Sequence, residues 1–239
     1  MTPAAPAETA MPLLEVRDLA HYYRQPDGSA RLALSLNRLS AGRGEALAVV
    51  GPSGSGKTTF LHILAALIRP TEGDVAFDGQ NLREMGRSGA AWRAASVGYV
   101  FQDVNLLPDF GLLENLMIAA EISGLSSGSA SERAVSLLGR LGLADKTRNR
   151  PCRLSLGERQ RAAVARAVLH SPPMVLADEP TASLDADNSR TVMSLLLELC
   201  VESQSLLIVA THDESVKKKL PRLVALEKPE NTWHRGTPQ

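Results

Sequence analysis

One stretch constrains this chain more than any other: Gly51-Pro52-Ser53-Gly54-Ser55-Gly56-Lys57-Thr58 satisfies the pattern G-x-x-x-x-G-K-[ST] at every position. Before it runs Glu45–Val50, whose ALAVV is a short apolar run of the kind buried in a parallel sheet. After it, Phe60, Ile63, Leu64 and Leu67 recur at helical spacing across Thr58–Ile68, and Arg69-Pro70 stops the helix. Strand, glycine-rich loop and helix open an α/β unit. Glycines let the backbone N–H groups curl around an anion without Cβ clashes. The helix beginning near Lys57 aims its partial positive end at the same place. Lys57 brings a point charge for β- and γ-phosphates, and the Thr58 hydroxyl suits Mg²⁺. A flexible Gly/Ser turn is the bland reading of such a string, and the flanking strand and helix argue against it. The loop Gly51–Thr59 is therefore expected to grip the phosphates of ATP.

The rest of the chain extends the α/β pattern. Leu13–Leu19 and Leu32–Leu39 alternate apolar and polar side chains, with a turn at Pro26-Asp27-Gly28 between them. Gly73–Phe77 and Gln80–Leu82 flank the turn Asp78-Gly79, and Val97–Phe101 is another strand. Two helices, Leu112–Ile122 and Ser131–Leu141, follow, separated by the Ser/Gly-rich stretch 124–131, which reads as a linker. From Leu154 the α/β rhythm returns with helix Leu156–Leu169, strand Met174–Ala177, helix Asn188–Cys200 and strand Leu206–Ala210. The layout is an α/β core with a helical insertion near residues 103–160.

Charge and composition narrow the partners. The 26 basic and 26 acidic side chains cancel, which gives no electrostatic footprint for nucleic acid and disfavours, without excluding, a general nucleic-acid binder, and aromatics at only 4% argue against a base-stacking platform. Cys152 and Cys200 have no C-x-x-C spacing and read as reduced thiols. Residues 1–12 are rich in Pro and Ala, lack a secretory pattern, and are expected to be disordered. No apolar run approaches the ~18–20 residues of a membrane span, so any membrane role has to come through a partner.

The stretch Pro172–Pro180, PPMVLADEP, delivers Asp178 and Glu179 at the carboxyl end of an apolar strand, the edge where doubly wound sheets hold ligands. Asp178 is placed to hold Mg²⁺ and Glu179 to polarise an attacking water, the two tasks that phosphoryl transfer needs. Upstream, Leu154-Ser155-Leu156-Gly157-Glu158 carries S-x-x-E, the capping box of a helix N-terminus and so a second anion site.

With Gln160 and Ala165-Arg166-Ala167 behind it, that segment resembles the signature of the ATP-binding-cassette (ABC) ATPases, LSGGQ or LSGGE followed by Q/R-x-x-x-A-R-A. Gln102 matches the family's Q-loop, Ser183-Leu184-Asp185 its D-loop and His212 its switch histidine, in the family's order across nearly the whole chain. The resemblance implies a P-loop NTPase cassette over residues 13–228. It would have a RecA-like core sheet, an antiparallel β subdomain, an inserted helical subdomain at about 103–160 and a tail at 229–239. It implies catalytic roles for Glu179, His212 and Gln102, with Thr58, Gln102 and Asp178 around Mg²⁺. It further implies that Ser155, Gly157, Glu158 and Asp185 meet the ATP held by a second copy, paired head to tail. An aromatic upstream of the phosphate loop would stack on adenine, with Tyr23 aligning best and Tyr22 second. One departure stands out: Leu156 replaces the first glycine of the signature.

Phe101-Gln102-Asp103-Val104-Asn105-Leu106-Leu107-Pro108, Glu114-Asn115 and the run LADEPTASLD resemble the branch containing the lipoprotein-releasing (LolD), macrolide-efflux (MacB) and cell-division (FtsE) ATPases. This implies a separate integral membrane permease and a place on the cytoplasmic face of the inner membrane, with Phe101, Leu106, Leu107 and Phe110 as apolar contacts to the permease. Export or extraction of a lipoprotein, lipid, peptide or drug is the implied task. A regulatory cassette signalling through a membrane partner, or a soluble ABC ATPase, are the alternatives. No nucleic acid partner is expected.

Overall fold

The structure is a computed structural model that describes residues 11–85 and 89–229 and the backbone of 233–234. The expected disorder of residues 1–12 falls almost wholly outside the described residues. Two sheets share the chain. One is antiparallel and is built on β1 (Leu14–Arg24) and β2 (Ala30–Ala41), joined by the turn at Asp27-Gly28, where Gly28 takes φ 80° and Asp27 accepts from the Ser29 N–H at 2.9 Å. β4 (Glu72–Phe77) pairs with the other edge of β1 and turns through Asp78 and Gly79, at φ 49° and 77°, into β5 (Gln80–Asn81). Two successive positive-φ residues are what a tight hairpin turn requires.

The second sheet is parallel, in the order β6 (Val97–Val100), β7 (Met174–Asp178), β8 (Leu206–Ala210), β3 (Ala46–Val50) and β9 (Arg222–Ala225). Its strands β3, β6, β7 and β8 bury both faces, as continuous apolar runs must in a parallel sheet. The side-chain period of two divides them between two cores. Leu47, Val49, Leu176, Ile208 and Ala210 pack with α1 (Lys57–Leu64) and the antiparallel sheet. Ala48, Val175, Ala177, Leu207 and Val209 face the other way, packing with α3 (Leu112–Ser123), α4 (Ser127–Arg140), α5 (Leu156–Val168) and α6 (Ala186–Glu202). Helices α3 and α4 and the start of α5 occupy the stretch expected to be a helical insertion.

Several local expectations need correction. Helix α1 ends at Leu64, not Ile68: Ala66 takes φ 50°, and Arg93 donates to the carbonyls of Ala65 and Ala66 at 3.4 and 3.0 Å, satisfying the helix end from outside. The stretch 124–131 is mostly helix and not a linker. α4 starts at Ser127 because Ala130, Ala134, Leu137 and Leu138 make a buried stripe at helical spacing. The short helices α2 (Gly89–Ser96) and α7 (Glu214–Lys217) and strand β9 were not anticipated. β9 is an edge strand with mostly exposed side chains, so it carries no apolar signature. Within the expected tail, β10 (Trp233–His234) pairs with β2. No helix among the described residues is long and apolar enough to cross a membrane.

Candidate nucleotide and catalytic site

At the end of β3 the chain turns through the glycine-rich loop and enters α1. Two of its glycines are sterically obligatory. A Cβ on Gly51 would lie 2.4 Å from the Leu226 carbonyl oxygen, and one on Gly56, at φ 91°, would lie 2.4 Å from that of Ala33. The loop is thus clamped between β2 and the chain after β9. Within it the Ser55 N–H donates to the Pro52 carbonyl at 3.1 Å, and the Lys57 ammonium donates to the carbonyls of Gly51 and Pro52 at 2.9 and 3.3 Å. Gly56 caps α1 without a side chain and no acidic residue stands in its first turn, so the helix presents bare N–H groups and its positive end.

Strand β7 places Asp178 beside that helix end. Burial leaves Asp178 6% exposed and raises its carboxyl pKa above the ordinary carboxylate range. A hydrogen bond with Thr58 opposes the rise, as do the charges of His62 and Lys57, while Glu179 adds to it. Tyr99, on β6, is raised by burial and by Asp178. Thr58, Gln102 and Asp178 reach one cleft and offer a hydroxyl, an amide oxygen and a carboxylate, a hard-oxygen set that fits Mg²⁺.

The register of β7 with β8 sets Asp178 opposite Ala210, and this brings Glu179 to His212. Glu179 sits at φ 44°, a region that costs a non-glycine residue about 1–3 kcal/mol and is common at functional sites. Its N–H is held by the Ala210 carbonyl at 2.9 Å. Its carboxylate lies 2.7 Å from the His212 Nδ1 and accepts the His212 N–H at 3.4 Å. Glu179 is 12% exposed at the side chain and His212 70%, so the histidine stands between the acid and solvent.

The cleft holds about 510 Å³ and gathers Tyr23, Ser53, Gly54, Gly56, Lys57, Thr58, Thr59, Gln102, Asp178 and Glu179. Gly51, Pro52 and Ser55, the other residues expected to meet ATP from this loop, do not line it. The Tyr23 hydroxyl lies 3.4 Å from that of Thr59. Tyr22 is not in the cleft, and its N–H donates to the Thr71 hydroxyl. Six residues that no motif singles out also line the cleft: Gln25, Arg31, Leu32, Ala33, Lys228 and Pro229. Their signal is three-dimensional, since Arg31 is the cross-strand partner of Tyr23 and Lys228 follows the edge strand β9.

Ser155, Gly157, Glu158 and Asp185 do not line this cleft. Ser155 caps α5: its hydroxyl accepts the Glu158 N–H at 3.3 Å, and Glu158 accepts the Ser155 N–H at 2.9 Å. Glu158 is also paired with Lys146, which holds its carboxyl below the usual range. Asp185 caps α6, accepting from the N–H groups of Asp187 and Asn188. The two helix ends meet at Asn188, which donates to Asp185 at 2.7 Å and whose Oδ1 would lie 2.6 Å from a Cβ on Gly157. Leu156, in the first turn of α5, is half-buried. One chain therefore presents a phosphate cleft and, elsewhere, a pair of capped helix ends.

The apolar residues assigned to a permease contact are divided. Phe101 and Leu107 line a groove of about 490 Å³ with Tyr99, Ile118 and Ile122. Phe110 lines an adjoining cleft along α3, and Leu106 packs against the core.

Phosphate loop, acidic strand end, parallel sheet and helical insertion together define a P-loop nucleotide cassette. The ABC transporter family matches residues 35–182, and the chain belongs to it. The lipoprotein-releasing system ATP-binding protein LolD of Syntrophus aciditrophicus is 42% identical over 215 residues, which is 90% of this chain and 96% of that protein. The macrolide export ATP-binding/permease protein MacB of Nitrosomonas europaea is 40% identical over 216 residues, 90% of this chain but only 33% of that longer protein. Among solved structures, the dimeric bacterial ABC transporter cassette MJ0796 matches with a TM-score of 0.82 and 32% identity, covering 90% of this chain and 94% of that one. The same cassette as a dimer in a post-hydrolysis state bound to ADP and Pi matches with a TM-score of 0.82 and 31% identity, covering 94% of this chain and 100% of that one. The chain is an ATP-binding cassette of the LolD and MacB type.

Proposed function

We propose that this cassette is the ATP-hydrolysing subunit of a membrane transporter whose permease is a separate chain, and that it works as a head-to-tail homodimer. The observation that carries this reading is the division of the site. The phosphate loop, Asp178, Glu179 and Gln102 share one cleft, while Ser155, Gly157, Glu158 and Asp185 stand at capped helix ends outside it. Two copies turned head to tail bring each cleft against the other copy's α5 terminus. The likeness to a dimeric cassette supports that arrangement.

In this reading Lys57 and the loop N–H groups hold the β- and γ-phosphates, and Tyr23 stacks on the adenine. Thr58, Gln102 and Asp178 would hold Mg²⁺, which supplies charge neutralisation at the phosphates. Glu179 orients and polarises the attacking water. His212 hydrogen-bonds Glu179 and holds its carboxylate toward the cleft. Ser155 and the N–H of Gly157 donate to the γ-phosphate of the partner's ATP. ATP then favours the closed pair because it binds that state better than the open one. Loss of the γ-phosphate removes the link. The groove at Phe101 and Leu107 receives the permease on the cytoplasmic face of the inner membrane. A lipoprotein, lipid, peptide or drug is the class of cargo, selected by the permease.

Glu179→Gln tests the catalytic half. ATP affinity should stay intact while single-turnover hydrolysis slows by ~10²-fold or more, the loss expected of a general base or water-orienting group. Hydrolysis at wild-type speed removes that role. Co-purification with a membrane protein from solubilised membranes tests the transport half, and purification only with nucleic acid would overturn it.

A further inference from the structure

Arg31 and Lys228 are drawn into the nucleotide cleft by two separate parts of the fold. Arg31 lies directly opposite Tyr23 in the β1–β2 ladder, so the two side chains leave the same face as neighbours. Two residues further along β2, the Ala33 carbonyl presses against Gly56 of the phosphate loop. One strand therefore runs from the level of the aromatic to the phosphate loop, with Arg31 at the aromatic's end, two residues or about 6.7 Å before Ala33. Lys228 comes from a different part of the chain. The Leu226 N–H donates to the Val50 carbonyl at 2.7 Å, and the Leu226 carbonyl presses against Gly51. Lys228 is the second residue beyond this clamp. The chain rejoins the antiparallel sheet at Trp233, whose backbone partner is Arg31. Both cations are exposed, both line the cleft, and neither forms an ion pair with an acidic side chain among the described residues.

We infer that Arg31 and Lys228 form a two-sided cationic clamp on the ribose and α-phosphate portion of the nucleotide. This rests on the reading of the cleft as an ATP site. Lys57 serves the β- and γ-phosphates at the helix end, and Tyr23 marks the base. The intervening span holds an anionic α-phosphate, and these two side chains are the cations besides Lys57 that line the cleft. Arg31 offers a planar fork suited to phosphate oxygens, and Lys228 a mobile point charge. The clamp therefore reads a portion common to ATP and ADP, and it ties the segment after β9 to nucleotide occupancy.

The test is fluorescence titration of the full chain with ATP and ADP analogues at low salt. Arg31→Ala and Lys228→Ala should each weaken both nucleotides by about threefold to tenfold, and the double variant by about tenfold to fiftyfold, as exposed charge-assisted contacts do. The loss should shrink as salt rises from ~50 to ~500 mM. Lys228→Arg should retain wild-type affinity, which separates charge from packing. Affinity within twofold of wild type in the double variant overturns the clamp, as does a loss for ATP without one for ADP. Lys57→Ala is the control. If it abolishes binding while the double variant does not weaken it, the clamp alone fails. If Lys57→Ala also binds normally, the ATP reading fails.

Discussion

Gly98→Ala should loosen the joint between the core sheet and the signature helix. Gly98 is the second residue of β6 and is fully packed against the carboxyl end of α5. A Cβ there would lie 2.1 Å from the Ala167 carbonyl oxygen, 2.9 Å from its carbon and 3.0 Å from Pro172 Cγ. Ordinary C···O contacts begin at about 3.3 Å, so α5 and β6 must separate by about 1 Å. Neither partner is a flexible side-chain tip that can swing away. Overpacking of this kind costs about 1–3 kcal/mol. A gap of that size also forfeits a quarter to a half of the dispersion at the atoms it parts. Together these give about 3 kcal/mol, against a total stability of about 5–15 kcal/mol. With a urea dependence of about 3 kcal/mol/M, the unfolding midpoint should fall by about 1 M at unchanged slope. ATPase activity should fall further than stability alone explains, because β6 leads into Gln102 and Ser155 caps α5. Chemical denaturation followed by circular dichroism reads the first effect. A midpoint within 0.2 M of wild type would show that the close approach does not constrain this position.

The contrasting case is Gly139→Ala. That glycine lies in α4 with open space around its missing Cβ, so alanine should stabilise the fold by about 0.5–1 kcal/mol, seen as a higher urea midpoint. Burial pushes the His170 imidazole down to about 4, with Arg133 adding to the effect, and neither ring nitrogen has a protein hydrogen-bond partner. His170 is neutral in the fold and protonated in the unfolded chain between pH 6.5 and 4, so the unfolded state binds more protons and stability falls as pH drops through that window, by up to about 3 kcal/mol. His170→Leu should flatten that limb of the stability–pH profile. Ser155→Asp keeps a good N-cap and so should leave thermal stability unchanged, whereas Ser155→Ala costs about 1 kcal/mol. Both should abolish ATP-driven dimerisation in the Glu179→Gln background, measured by light scattering. Dimers of Ser155→Asp at wild-type affinity would exclude a phosphate contact at that hydroxyl.

The parts of the site that were legible share a physical reason. The phosphate loop is contiguous, so its glycines, Lys57 and Thr58 are placed by local backbone geometry and can be read from eight adjacent residues. Asp178 and Glu179 follow an unbroken apolar run that only a buried strand explains. Ser155 and Glu158 name each other through the capping box. The family resemblance ranks Tyr23 ahead of Tyr22, but no local pattern of residues explains that choice. Side chains alternate across a strand, and the register shift between His21 and Tyr22 decides which ring faces the cleft. β9 was invisible because an edge strand with exposed side chains has no periodic signal.

By itself the sequence determined that this chain binds a nucleoside triphosphate and belongs with the ABC cassettes, because each of those conclusions rests on short motifs whose chemistry is complete within a few residues. Tertiary structure decided what long-range contacts create. It put Glu179 on His212 across the β7–β8 register and brought Arg31 and Lys228, nearly two hundred residues apart in the chain, to one cleft. It also set the capped helix ends of α5 and α6 outside that cleft. Strand pairing and the packing of helix on sheet fix those distances, and no local pattern of residues encodes them.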